Sequence, residues 1–62
     1  MAKSPGQLLD IALTLTNRAA GRLGVMVSHQ KIYRLNLINV EEELQESLDH
    51  VRSALKATEK RG

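Results

Sequence analysis

The chain has 62 residues, no cysteine, one aromatic residue and a formal net charge of +2. A chain this short buries only about 60% of the surface that its unfolded form exposes, and without cysteines neither disulfides nor thiolate metal sites can reinforce its core. No apolar run approaches the ~20 residues that span a bilayer, and no signal-peptide pattern follows Met1, so we expect a cytoplasmic protein that binds no membrane.

The first predicted helix covers residues 5–35 and begins with a capping box. Ser4 can accept a backbone N–H bond at the helix start, Pro5 has no N–H to leave unpaired there, and Gln7 can bond back to the cap. An apolar stripe with spacings of three and four residues follows. Its members are Leu8, Ala12, Leu15, Ala19, Leu23, Met26, Gln30 and Tyr33.

Two glycines raise the question of whether this predicted helix is continuous through its middle. Gly21 and Gly24 each cost about 1 kcal/mol in a helix relative to alanine, and either could end it. Residues 25–37 are rich in β-branched side chains, so a short β-hairpin there is the alternative. A continuous helix is preferred because the stripe keeps its phase across both glycines.

The second predicted helix covers residues 40–60 and follows a turn at residues 36–39. Asn39 can cap it, and Glu41–Glu43 would place negative charge at the positive end of the helix dipole. Its stripe is Val40, Leu44, Leu48, Val51 and Leu55. Residues 1–62 are thus predicted to form one all-α domain, an antiparallel helical hairpin.

The predicted helices differ in length, which points to a second chain. At 1.5 Å per residue, the first would be about 46 Å long and the second about 31 Å, so the first turns of the long helix would lack a partner within the hairpin. Those turns are strongly apolar, and we expect them to form a homodimer with four helices or to bind a target protein. The predicted interface residues are Leu8, Leu9, Ile11, Ala12, Leu13 and Leu15.

Two further groups on the first helix have open roles. Thr16, Ala20 and Gly24 form a strip of small residues that could accommodate either the second helix or another chain. Arg18, Arg22 and His29 share one face and form a candidate polar binding face for phosphates or an acidic partner. Alternatively, these bases pair with acids of the second helix, for which Glu46 and Asp49 are the candidates.

No catalytic, cofactor, metal or small-molecule motif is recognisable, so we predict that the chain is not an enzyme. The favoured function is that of a small interaction protein, a regulator, inhibitor or chaperone that binds a partner protein through helical surfaces. The alternative is a dimeric nucleic-acid-binding regulator that uses the Arg18 and Arg22 face. A net charge of +2 gives this alternative little support, because nucleic-acid-binding domains are usually more basic.

Overall fold

The chain forms two α-helices in a computed structural model that describes residues 3–59. Helix α1 is Pro5–His29 and helix α2 is Arg34–Glu59. They pack against each other as an antiparallel hairpin, and no strand occurs within residues 3–59. The predicted all-α hairpin is therefore confirmed. The predicted end of the second helix at residue 60 lies outside the described residues.

Helix α1 begins with the capping box that the sequence predicts. The Ser4 hydroxyl accepts a hydrogen bond from the Gln7 backbone N–H at 3.2 Å, and the Gln7 side-chain oxygen accepts one from the Ser4 N–H at 3.0 Å. Two N–H groups that the first turn leaves without helical partners are satisfied in this way. Pro5 occupies the first helical position, where its missing N–H costs nothing.

Helix α1 ends six residues earlier than predicted. Gln30 adopts the left-handed conformation (φ 52°, ψ 40°), its N–H bonds to the Val27 carbonyl at 3.2 Å, and the Lys31 N–H bonds to the Met26 carbonyl at 3.1 Å. These two bonds form a Schellman motif, which ends a helix, with glutamine where glycine is usual. Only residues 30–33 separate α1 from α2.

The predicted turn at residues 36–39 is therefore wrong, because those residues lie inside α2. Asn39 is the sixth residue of α2 and does not cap it, and Glu41–Glu43 lie beyond the first turn. The alternative β-hairpin across residues 25–37 is also wrong, since both ends of that segment are helical. The helices have 25 and 26 residues, so the predicted long and short arms do not exist.

Because the two helices are nearly equal in length, α2 extends alongside the first turns of α1. Pro5 and Leu9 share a hollow with four side chains near the end of α2, those of Val51, Ala54, Leu55 and Thr58. The predicted mismatch in length thus cannot explain why a second chain should bind. A binding surface on this hairpin depends instead on how the side chains are distributed around the two helices.

Small side chains fill the line along which the helices touch. The buried residues recur every seven positions on both helices. They are Ala12, Ala19 and Met26 on α1, and Val40, Ser47 and Ala54 on α2, and all except Met26 and Val40 are alanine or serine. Small residues at a helix contact allow the two backbones to approach closely, while a seven-residue repeat keeps the contact on one side of each helix.

One hydrogen-bonded group crosses this contact line. The Ser47 hydroxyl donates to the Ala12 carbonyl at 3.0 Å and lies 2.9 Å from the Thr16 hydroxyl, which also bonds to the same carbonyl at 2.8 Å. A buried serine is tolerated here because its polar atom has partners. Thr16 therefore contacts the second helix, although both Thr16 and Ala20 are exposed.

Both internal glycines lie within α1 and do not break it. A Cβ added at Gly21 or Gly24 would have no heavy atom within 4 Å outside the local backbone, and neither glycine has a positive φ. We expect Gly21→Ala to raise the free energy of unfolding by about 1 kcal/mol, measured by urea denaturation, because alanine is the better helix former. A loss of stability would reveal a close contact at Gly21 that this arrangement of helices does not contain.

Candidate interaction surface

The large apolar side chains of this chain lie mainly outside its core. None of the ten leucines or three isoleucines, all of which are within the described range, is buried. Leu8, Ile11 and Leu15 are half-buried, and the other ten are exposed. The hairpin thus reverses the usual arrangement, in which leucine and isoleucine are among the most buried residues.

Most of these side chains form one surface, which we call the apolar face. On each helix its positions follow one another by alternating steps of four and three residues. On α1 they are Leu9, Leu13, Thr16, Ala20, Leu23 and Val27, and on α2 they are Leu37, Glu41, Leu44, Leu48, Val51 and Leu55. The nine leucine and valine side chains of this set are 41–76% exposed.

Both stripes lie on the same side of the hairpin. On each helix, residues of the face follow buried residues by one position, as Leu13 follows Ala12 and Leu48 follows Ser47. One step along an α-helix rotates the side chain by about 100°. Because the helices are antiparallel, equal rotations away from the contact line bring both stripes to the same side. The hollow that Leu9 shares with side chains of α2 agrees with this placement.

The structure divides the six predicted interface residues among three environments. Ala12 is buried between the helices and is 5% exposed. Leu8, Ile11 and Leu15 are half-buried on the side of α1 that lies away from the apolar face. Only Leu9 and Leu13 belong to the apolar face. Successive helix positions point in different directions, so these residues do not share one face. The prediction is wrong for Ala12, which the hairpin itself buries, and for the other five residues an interface stays a prediction.

Sequence reasoning missed most of the apolar face. It identified the α2 stripe without assigning that stripe to an exposed surface, and of the stripe only Val40 is buried. The missed members are Leu23, Val27, Leu37, Leu44, Leu48, Val51 and Leu55. The signal that could have found them is a second heptad stripe, of small residues, beside each stripe of leucines.

The predicted polar face carries charges of both signs. Arg22 Nε lies 3.1 Å from a carboxylate oxygen of Glu43, and its Nη1 lies 3.4 Å from the side-chain oxygen of Asn36. This is the only salt bridge within residues 3–59. Pairing of an arginine with α2 thus occurs, but with Glu43 instead of Glu46 or Asp49.

The other two residues of the predicted polar face differ from Arg22. Arg18 is exposed and lines an open hollow with Arg22. His29 lies at the end of α1, where its Nδ1 is 3.1 Å from the Tyr33 hydroxyl and the two rings meet edge to face. The continuous helix places all three residues on one side of α1. However, Arg22 is paired with Glu43, and His29 contacts Tyr33 in the turn.

Sites for chemistry are not evident in the part of the chain that the structure describes. No three histidine, aspartate or glutamate side chains among residues 3–59 come together in a way that could hold a metal ion. The hollows found are open to solvent. Neither α1 nor α2 combines the length and apolar character needed to cross a lipid bilayer.

Comparison with known protein families, curated proteins and solved structures finds no match for this chain. The class defined by the fold is that of α-helical hairpins, and a fold of this kind does not by itself determine a function.

Proposed function

We propose that this chain is a non-enzymatic interaction protein that works by packing its apolar face against helices of another polypeptide. One observation carries the proposal. Nine leucine and valine side chains lie on one side of the hairpin and are 41–76% exposed. Large contiguous apolar surfaces of this kind mark sites of protein interaction. A regulator, an inhibitor or a chaperone could use such a surface.

The spacing of the apolar face indicates a helical partner. Apolar positions separated by alternating steps of four and three residues form the seam along which helices insert side chains between those of a neighbour. The face presents two such seams side by side, one from each helix. A groove of this type accepts the apolar side of another helix, or of a helical pair.

The free energy that burial of the apolar face would contribute is large for a chain of this size. Full burial of a leucine or valine contributes about 1.5–3 kcal/mol, and the nine side chains are on average about half exposed. Covering them would contribute roughly 1 kcal/mol each, which together is comparable with the ~5–15 kcal/mol net stability of a typical domain. A face left in water would forgo that contribution.

Nucleic-acid binding through Arg18 and Arg22 stays a prediction and is our second choice. Arg22 forms a salt bridge with Glu43, and the exposed acid Glu46 lies on the same side of the hairpin as the two arginines. This side is therefore not a uniformly basic surface. Phosphate contacts normally come from clustered, available bases. The cytoplasmic location and the absence of enzymatic activity also stay predictions.

A photo-crosslinking experiment tests the proposed function. A benzoylphenylalanine residue is placed in cells at Leu13 or Leu48, on the apolar face, and in control variants at the adjacent Thr14 or Asp49. We expect polypeptide adducts from Leu13 and Leu48 at roughly tenfold higher yield, because one step along a helix turns the side chain by about 100°, away from a bound partner.

The adducts decide the outcome whatever the partner is. A second copy of the chain or a different protein in the adduct would each support an interaction function, provided that the control positions react weakly. Equal yields at all four positions, or no adduct from Leu13 and Leu48, would show that the apolar face has no protein bound to it.

A further inference from the structure

We infer that the occupant of the apolar face is a second copy of this chain, so that two hairpins form a four-helix homodimer. The inference rests on the proposed function, in which the apolar face binds helices, and it adds the identity of the bound polypeptide. Three observations support a second copy: the surface area of one chain, the charge of the face and the distribution of large and small residues along it.

The surface area indicates how much of the chain a partner should cover. One chain has an accessible surface of 5056 Å² and a mass of 6.9 kDa. A compact monomer of this mass exposes about 4,000 Å², so the chain as a whole exposes roughly 1,000 Å² more than expected. A stable protein interface buries about 800 Å² on each partner. The excess of the whole chain is therefore similar in size to the area that one copy buries in a stable dimer.

The charge of the apolar face permits two copies to meet. Glu41 is the only ionisable residue among its twelve positions, and this acid shares a hollow with Arg34, Leu37 and Ile38 of the same helix. Identical faces repel each other when they carry like charges at their centres. Here the side chains at the centre are uncharged, so contact between two copies brings no such repulsion.

Large and small residues of the face complement each other between copies. Thr16 and Ala20 are the small middle members on α1, and the contact of 2.9 Å between the Thr16 and Ser47 hydroxyl oxygens places them level with Leu44 and Leu48 on α2. When two faces meet about a two-fold axis, each middle layer contains two small and two large side chains. Such mixed layers fill a four-helix core, whereas layers of only large residues overfill it.

The mass of the purified protein in solution is the first test. We expect sedimentation equilibrium at about 100 µM to give twice 6.9 kDa, since a buried interface of this area is typical of micromolar or tighter binding. A wild-type mass of 6.9 kDa at that concentration would overturn the inference. If the photo-crosslinks from Leu13 and Leu48 then contained a different protein, the proposed function would stand without the dimer.

Charge variants test whether the apolar face forms the dimer. We expect Leu44→Lys/Leu48→Lys to weaken dimerisation at least 100-fold, while Gln45→Lys/Ser53→Lys, which adds the same charge to other sides of α2, leaves it within about threefold. Ala20→Glu is a second variant of the apolar face. Because Ala20 is exposed in the single hairpin, the helix content of this variant is expected to persist. Dimers of wild-type strength in both apolar-face variants would overturn the inference.

Discussion

Replacing Ala19 with leucine is expected to lower the free energy of unfolding by about 2 kcal/mol, because Ala19 is 1% exposed on the line where the helices touch. Three added carbons at this position must force the helices apart or adopt a strained rotamer. A chain of 62 residues has little stability to lose, so the unfolding midpoint in urea should fall sharply. Far-UV circular dichroism during urea denaturation measures the change.

A matched pair on α2 separates packing from hydrophobicity. Ala54→Leu, at a buried position, should cost a similar amount, whereas Ser53→Leu at the exposed neighbouring position should change stability by no more than about 0.5 kcal/mol. Leucine is added in both variants, and only its surroundings differ. If Ala19→Leu and Ala54→Leu were as stable as the wild type, the contact line would contain room for large side chains, and small residues would not define it.

Local signals at the start of α1 could be read from the sequence. The capping box depends on four consecutive residues, Ser4 to Gln7, and the structure contains both of its predicted hydrogen bonds. Such a motif is independent of distant contacts, since its donors and acceptors lie within one turn. The all-α hairpin was also predictable, because apolar periodicity near 3.6 residues extends over most of the chain.

The end of α1 could not be read from periodicity. The turn occupies a length that preserves the seven-residue series, so no break in phase marks the change of helix. The series includes buried and half-buried positions before, within and after the turn: Ala12, Ala19, Met26, Tyr33, Val40, Ser47 and Ala54. Composition also misleads here, because Gln30 occupies the left-handed position where glycine is usual, while Gly21 and Gly24 lie within the helix.

The apolar face could not be assigned because each helix offers two neighbouring stripes. One contains mainly small residues, and the other contains leucine and valine. Hydrophobicity alone favours the larger residues, such as Leu44 and Leu48, as the inner stripe. The distance between the helices decides the matter, and that distance depends on which small residues of the two helices meet, as Ala12 meets Ser47. This information is not present in either helix alone.

The thermal midpoint as a function of concentration tests most directly the claim that a second copy completes this hairpin. Raising the protein concentration 100-fold, from about 1 µM to about 100 µM, favours a folded dimer over two unfolded chains by about 2.7 kcal/mol. For a dimer of this size, Tm is expected to rise by roughly 10 °C. The rise should be small or absent in Leu44→Lys/Leu48→Lys. A wild-type Tm that is the same at both concentrations would contradict the dimer, and with it our account of the leucines and valines of the apolar face.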